Sequence, residues 1–77
     1  MKSKSKIYID GIVNSYKSKD ESKSVEVFKK MDAQIRYHYG CRYYDNGVFQ
    51  FDEFYPNKSL HYAESAASNW CQGVKTK

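Results

Sequence analysis

Asn46-Gly47, inside the stretch CRYYDNGVFQFDEFYP (residues 41–56), restricts this chain more than any other feature. A two-residue type I′ turn needs positive φ at both central positions, and Asn-Gly supplies them at little cost. Residues 41–55 therefore read as a hairpin. Pro56, which has no N–H to give a ladder, ends it. The direct register pairs Tyr44 with Phe49 and Arg42 with Phe51. One face then carries Arg42, Tyr44, Phe49 and Phe51, with Glu53 and Tyr55 further out. The other carries Cys41, Tyr43, Val48, Gln50, Asp52 and Phe54. An antiparallel pair normally alternates a buried apolar face with a solvated polar one. Here both faces are half aromatic, so the face left uncovered by the core is an expected contact surface.

The chain has 77 residues, which is one domain at most. At that size folding buries only about 60% of the unfolded surface, so the core is thin and a partner or a second copy would reinforce it. Eight tyrosines against the single leucine, Leu60, suit half-buried positions and interfaces, where an apolar ring body meets a polar tip.

The remaining segments read as follows. Residues 6–17, KIYIDGIVNSYK, place Asp10-Gly11 between β-branched runs, which predicts a hairpin pairing Ile9 with Ile12 and Tyr8 with Val13. A short helix with Ile9, Ile12, Val13 and Tyr16 on one face competes with it, at a cost of about 1 kcal/mol for Gly11. Residues 17–24 are a polar loop in which Ser22 or Ser24 can cap a helix. Val25, Phe28, Met31 or Asp32, Ile35 and Tyr39 follow at helical spacing up to Gly40, predicting a helix over 22–39. After the central hairpin, Asn57 or Ser59 caps a last helix over 60–72, with Leu60, Ala63, Ala66 or Ala67, and Trp70 as its apolar stripe and Gly73 as its stop. The expected fold is α+β: a small antiparallel sheet of two hairpins with two helices packed on it, in the order ββαββα. The expected organisation is a basic tail at 1–5, one domain at 6–74 and a basic tail at 75–77.

The net charge of +4 is carried by the ends. Lys2, Lys4, Lys6, Lys75 and Lys77 lie in the tails. Residues 7–74 hold eight Lys/Arg against nine Asp/Glu, a balance of −1. Basic tails add unspecific attraction to phosphate but do not make a docking face. No apolar run approaches the roughly 18 residues that span a bilayer, and the start lacks a signal-peptide apolar core. The expected location is the cytoplasm, where Cys41 and Cys71 stay reduced.

Little in the sequence points to chemistry. His38 and Cys41, with His61 and Cys71, supply four zinc-type ligands, but the second pair is ten residues apart rather than two to five. Asp52 and Glu53 are neighbours on a strand, so their carboxylates face opposite ways. No nucleophile elbow, general-base motif or glycine-rich phosphate loop is present. No metal, cofactor or catalytic residue is expected, and the reading is non-enzymatic.

Two binding readings stand. In the first, a preformed tyrosine-rich sheet face docks on another protein through Arg42, Tyr43, Tyr44, Asp45, Gln50, Asp52 and Phe54, with a homodimer as a variant of the same idea. In the second, residues 34–44, QIRYHYGCRYY, interleave basic groups and rings. Lys29, Lys30, Arg36, Tyr37, Tyr39, Arg42 and Tyr43, with the tail lysines, would then grip RNA or single-stranded DNA. The Phe/Tyr-rich strand at 48–55, the turn at Pro56 and the Ala/Trp helix at 60–70 resemble, in style, the small Lys-, Tyr- and Asn-rich proteins of T-even-type lytic phages. That resemblance implies a host-takeover or anti-defence protein that binds and blocks a bacterial protein or complex.

Overall fold

Strand alternation, with period two, is what the first half of the chain adopts. In KSVEVFKKM, Val25 and Val27 point one way and Ser24, Glu26 and Phe28 the other, and these residues form a strand instead of the expected helix. The computed structural model describes residues 7–73. It contains strands β1 (Gly11–Lys17), β2 (Lys23–Met31), β3 (Tyr37–Asp45) and β4 (Val48–Tyr55), then one helix, α1 (Leu60–Cys71). The strands form a single antiparallel sheet in the order β1-β2-β3-β4. The ββαββα order with two helices is thus corrected to ββββα. The expected tails at 1–5 and 75–77 lie outside the described residues.

Two local devices override the helical spacing. Asp32 makes a tight turn: its Oδ1 accepts the N–H groups of Gln34 (2.8 Å) and Arg36 (3.0 Å). Ile35, expected on a buried helix face, instead sits at the turn with φ +60 and is 76% exposed. Gly40, expected as a helix stop, lies mid-strand opposite Phe28. A Cβ there would come within 2.5 Å of both Phe28 Cζ and the Glu53 carbonyl oxygen, so only glycine lets the ring lie against the backbone.

Asp10-Gly11 is not a turn either. Asp10 donates its N–H to the Lys29 carbonyl, and its Oδ2 accepts the Met31 N–H, which guides residues 11–17 onto the edge of β2. The Ile9–Ile12 and Tyr8–Val13 pairs do not form. Gly11 faces Lys29 and Ile12 faces Phe28 instead.

The central hairpin forms around Asn46-Gly47, both at positive φ, with Tyr44 opposite Phe49 as expected. Beyond that pair the register shifts: Tyr43 faces Phe51 and Arg42 faces Asp52. Gln50 is the extra residue of a β-bulge in β4. One inserted residue moves everything after it to the other face. Phe51, Glu53 and Tyr55 therefore join Tyr43 and Cys41, while Asp52 and Phe54 join Arg42 and Tyr44. The two faces read from the direct register are corrected accordingly.

The helix forms as expected, with Ser59 capping by accepting the Tyr62 N–H and Gly73 at φ +76 beyond its end. Ala63 and Ala67 are fully buried, and their small side chains let α1 settle onto Val25, Val27, Cys41 and Tyr43. The helix lies over β1, β2 and β3 and leaves β4 largely uncovered on that side.

Candidate functional site

The residues expected to form one docking face do not share one: the bulge brings Asp52 and Phe54 to the side of Arg42 and Tyr44 and leaves Tyr43 on the other. Tyr43 is 4% exposed beneath α1, where its ring lies 4.6 Å from Phe51 and 5.1 Å from Trp70. Arg42, Tyr44, Asp52 and Phe54 are on the opposite face. Asp45 stands beside the turn with Lys23 Nζ at 4.0 Å, and Gln50 donates to the Val48 carbonyl.

That opposite face is crossed by the chain's own residues 7–10. Arg42 holds Asp52 in a fork, Nε to Oδ1 at 2.8 Å and Nη2 to Oδ2 at 3.1 Å. The same pair takes both backbone groups of Ile7: Arg42 Nη2 donates to its carbonyl and Asp52 Oδ2 accepts its N–H, each at 2.8 Å. Lys30 Nζ donates to the Tyr8 carbonyl. Beneath the strap Phe28 is fully buried, stacked on Phe54 with the Arg42 guanidinium 5.9 Å from its ring.

The residues of the nucleic-acid reading are also divided. Lys29, Tyr37 and Tyr39 lie on the helix side at one end of the sheet, with Lys29 Nζ 4.8 Å from the Tyr37 ring. Lys30 is on the other side. Arg36 sits 3.4 Å from Asp32, and Arg42 is bound to Asp52. His38 does not stand with Cys41. Its Nδ1 accepts the Asn57 N–H at 3.1 Å, which puts its proton on Nε2, donated to Asp32 at 2.7 Å. That bond is the largest influence holding the Asp32 carboxyl at about 2. Cys41 and Cys71 are free thiols.

What the helix leaves open is a cleft of about 350 Å³ beside β4. Its floor is Tyr43, Phe51, Glu53 and Tyr55 from the sheet. Its wall is Tyr62, Ser65, Ala66, Asn69 and Trp70 from the helix. Two ring groups line it. Phe51 meets Trp70 edge-on at 6.0 Å over Tyr43, and Tyr55 meets Tyr62 edge-on at 5.1 Å. Phe51 is 42% and Tyr62 48% exposed. Sequence reasoning named Tyr43 but missed Phe51, Glu53, Tyr55, Tyr62 and Trp70. The signal lay in the register: moving β4 by one residue brings Asp52 opposite Arg42 and makes an ion pair.

The phenol groups on the floor of the cleft keep their protons. The Tyr43 and Tyr55 hydroxyls bond each other at 2.7 Å on its floor. Burial raises both well above the usual phenol range, so they stay neutral. Behind them Cys41 donates its S–H to the Ala63 carbonyl, and burial pushes its thiol up to about 11, away from the nucleophilic thiolate. The Trp70 Nε1–H is buried with no acceptor among the described residues. Along the rim, β4 pairs only with β3, so its outer edge of N–H and C=O groups is unpaired within the described sheet. No helix among the described residues is long and apolar enough to cross a membrane. Set against protein-family models, curated proteins and solved structures, the chain has no match.

Proposed function

We propose that this chain is a non-enzymatic binding module that takes an extended segment of another protein along the outer edge of β4. The segment's inward side chains enter the cleft between β4 and α1. The observation that carries this reading is the coincidence of an eight-residue strand edge, unpaired among the described residues, with an aromatic cleft on the same strand. Strand addition draws affinity from backbone hydrogen bonds and specificity from pockets for alternate side chains, and both parts adjoin here. In this reading the contact residues expected from the sequence, Arg42, Tyr43, Tyr44, Asp45, Gln50, Asp52 and Phe54, give way to the residues of the cleft, of which they share only Tyr43.

The charge of the edge selects the occupant. β4 holds Asp52 and Glu53 at its middle and no lysine or arginine. Asp52 is neutralised by Arg42, but Glu53 is not, and two copies pairing antiparallel with Glu53 opposite itself would set like charges against one another, which destabilises a sheet. A segment from a different protein avoids that conflict. The resemblance to small phage proteins supplies the kind of partner: a bacterial host or defence protein, occluded stoichiometrically in the host cytoplasm.

The test is capture from bacterial lysate after nuclease treatment, comparing the wild type with a Phe51→Ala, Tyr62→Ala double variant. Both positions are exposed enough to alter without emptying the core. The reading expects a protein retained by the wild type and lost by the double variant. Retention unchanged by the double variant, or loss of every partner on nuclease treatment alone, would overturn it. The second outcome would favour nucleic acid.

A further inference from the structure

Glu53 is the one charged residue lining the cleft. It stands between Phe51 and Tyr55 on the same side of β4, so its carboxylate rises between the two ring groups. It has no hydrogen-bond or ion-pair partner among the described residues. The other carboxylates of the sheet do: Asp52 has Arg42, Asp45 has Lys23, and Glu26 accepts from Tyr44, while Asp32 in the turn has His38 and Arg36. An unpaired carboxylate among aromatic faces attracts a cation twice, by its own charge and through the ring quadrupoles.

The rings of this cleft already attract ammonium groups on their outer sides. Lys23 Nζ lies 5.3 Å from the Trp70 ring centre, and Lys58 Nζ 5.2 Å from that of Tyr62. Asp45 offsets the charge of Lys23. Neither lysine lines the cleft, so Glu53, itself exposed, is the one charge on its lining.

We infer that the cleft takes a lysine or arginine side chain of the added segment, its cation on Glu53 and its stem between the Phe51/Trp70 and Tyr55/Tyr62 ring pairs. This rests on the strand-addition reading and gives it a substrate class: an extended basic segment. The stem of such a side chain is apolar, which suits the ring faces of Phe51, Tyr55, Tyr62 and Trp70 that line the cleft.

Trp70 is the only tryptophan of the chain, so its emission reports on the cleft directly. The probes are three capped seven-residue Thr/Val peptides carrying lysine, norleucine or glutamate at the centre. The lysine peptide is expected to change the emission saturably and to bind about fivefold or more tighter than the norleucine peptide, with the glutamate peptide weakest. In Glu53→Gln the lysine preference should collapse while the norleucine peptide binds as before. Equal binding of the lysine and norleucine peptides would overturn the cation assignment and leave strand addition standing. A lysine preference that survives Glu53→Gln would overturn the role of Glu53. Failure of all three peptides would overturn both readings.

Discussion

At the scale of single residues, the molecule satisfies demanding polar groups with few side chains. Asp52 is the clearest case. Its side chain is 4% exposed, yet it neutralises Arg42 and accepts the Ile7 N–H. Asp52→Ala would leave a nearly buried guanidinium without its counter-charge and release the strap at Ile7. A loss of about 3 kcal/mol in urea denaturation is expected, with faster amide exchange at Ile7. Ile35 is the opposite case. A β-branched residue at φ +60 and 76% exposure costs conformational energy and buries little. Ile35→Asn should raise stability by about 0.5–1 kcal/mol in the same assay, since Asn tolerates that region. The turn aspartates set the acid limit. Asp20, held down mainly by the Ser22 N–H, and Asp32, held down mainly by His38, both sit at about 2 against an ordinary 3.8. A depressed carboxyl stabilises fully above its unfolded value and loses that contribution as pH falls toward its folded one. Thermal stability should therefore fall as pH drops from about 4 to about 2, and Asp32→Asn should flatten that slope.

At the scale of elements, the parts governed by local rules were legible in the sequence. Asn46-Gly47 allows one kind of turn, and Ser59 and Gly73 bracket the helix they cap. The first half was not legible, because Val25, Phe28, Ile35 and Tyr39 satisfy a helical period while Val25 and Val27 satisfy a strand. Within residues 22–30 neither period arbitrates. The sheet does, by offering β3 as a partner and Gly40 as the gap for Phe28. The candidate site was missed for a smaller reason, the single extra residue at Gln50. Deleting Gln50 would place Phe49 next to Phe51 and reproduce the observed Tyr44–Phe49, Tyr43–Phe51 and Arg42–Asp52 pairs without a bulge. The deletion variant should fold, with stability within about 1 kcal/mol of wild type. Nuclear Overhauser contacts between the Tyr43 and Phe51 rings check the register directly. Their loss would mean that the bulge does more than accommodate one residue.

At the scale of the whole molecule, the two faces of the sheet have different fates. One is crossed by residues 7–10 and sealed by the Arg42–Asp52 fork. The other is covered by a helix displaced toward β1, which leaves β4, among the described residues, with both an unpaired edge and an uncovered aromatic side. A thin 77-residue domain gains from filling such a gap, and strand addition fills edge and cleft together. The most direct test is amide hydrogen exchange on this chain with and without its captured protein partner. Strand addition predicts new protection along Val48–Tyr55 and at the cleft-facing side of α1, with residues 29–39 unchanged. Protection confined to residues 29–39, or to the strap at residues 7–10, would contradict it.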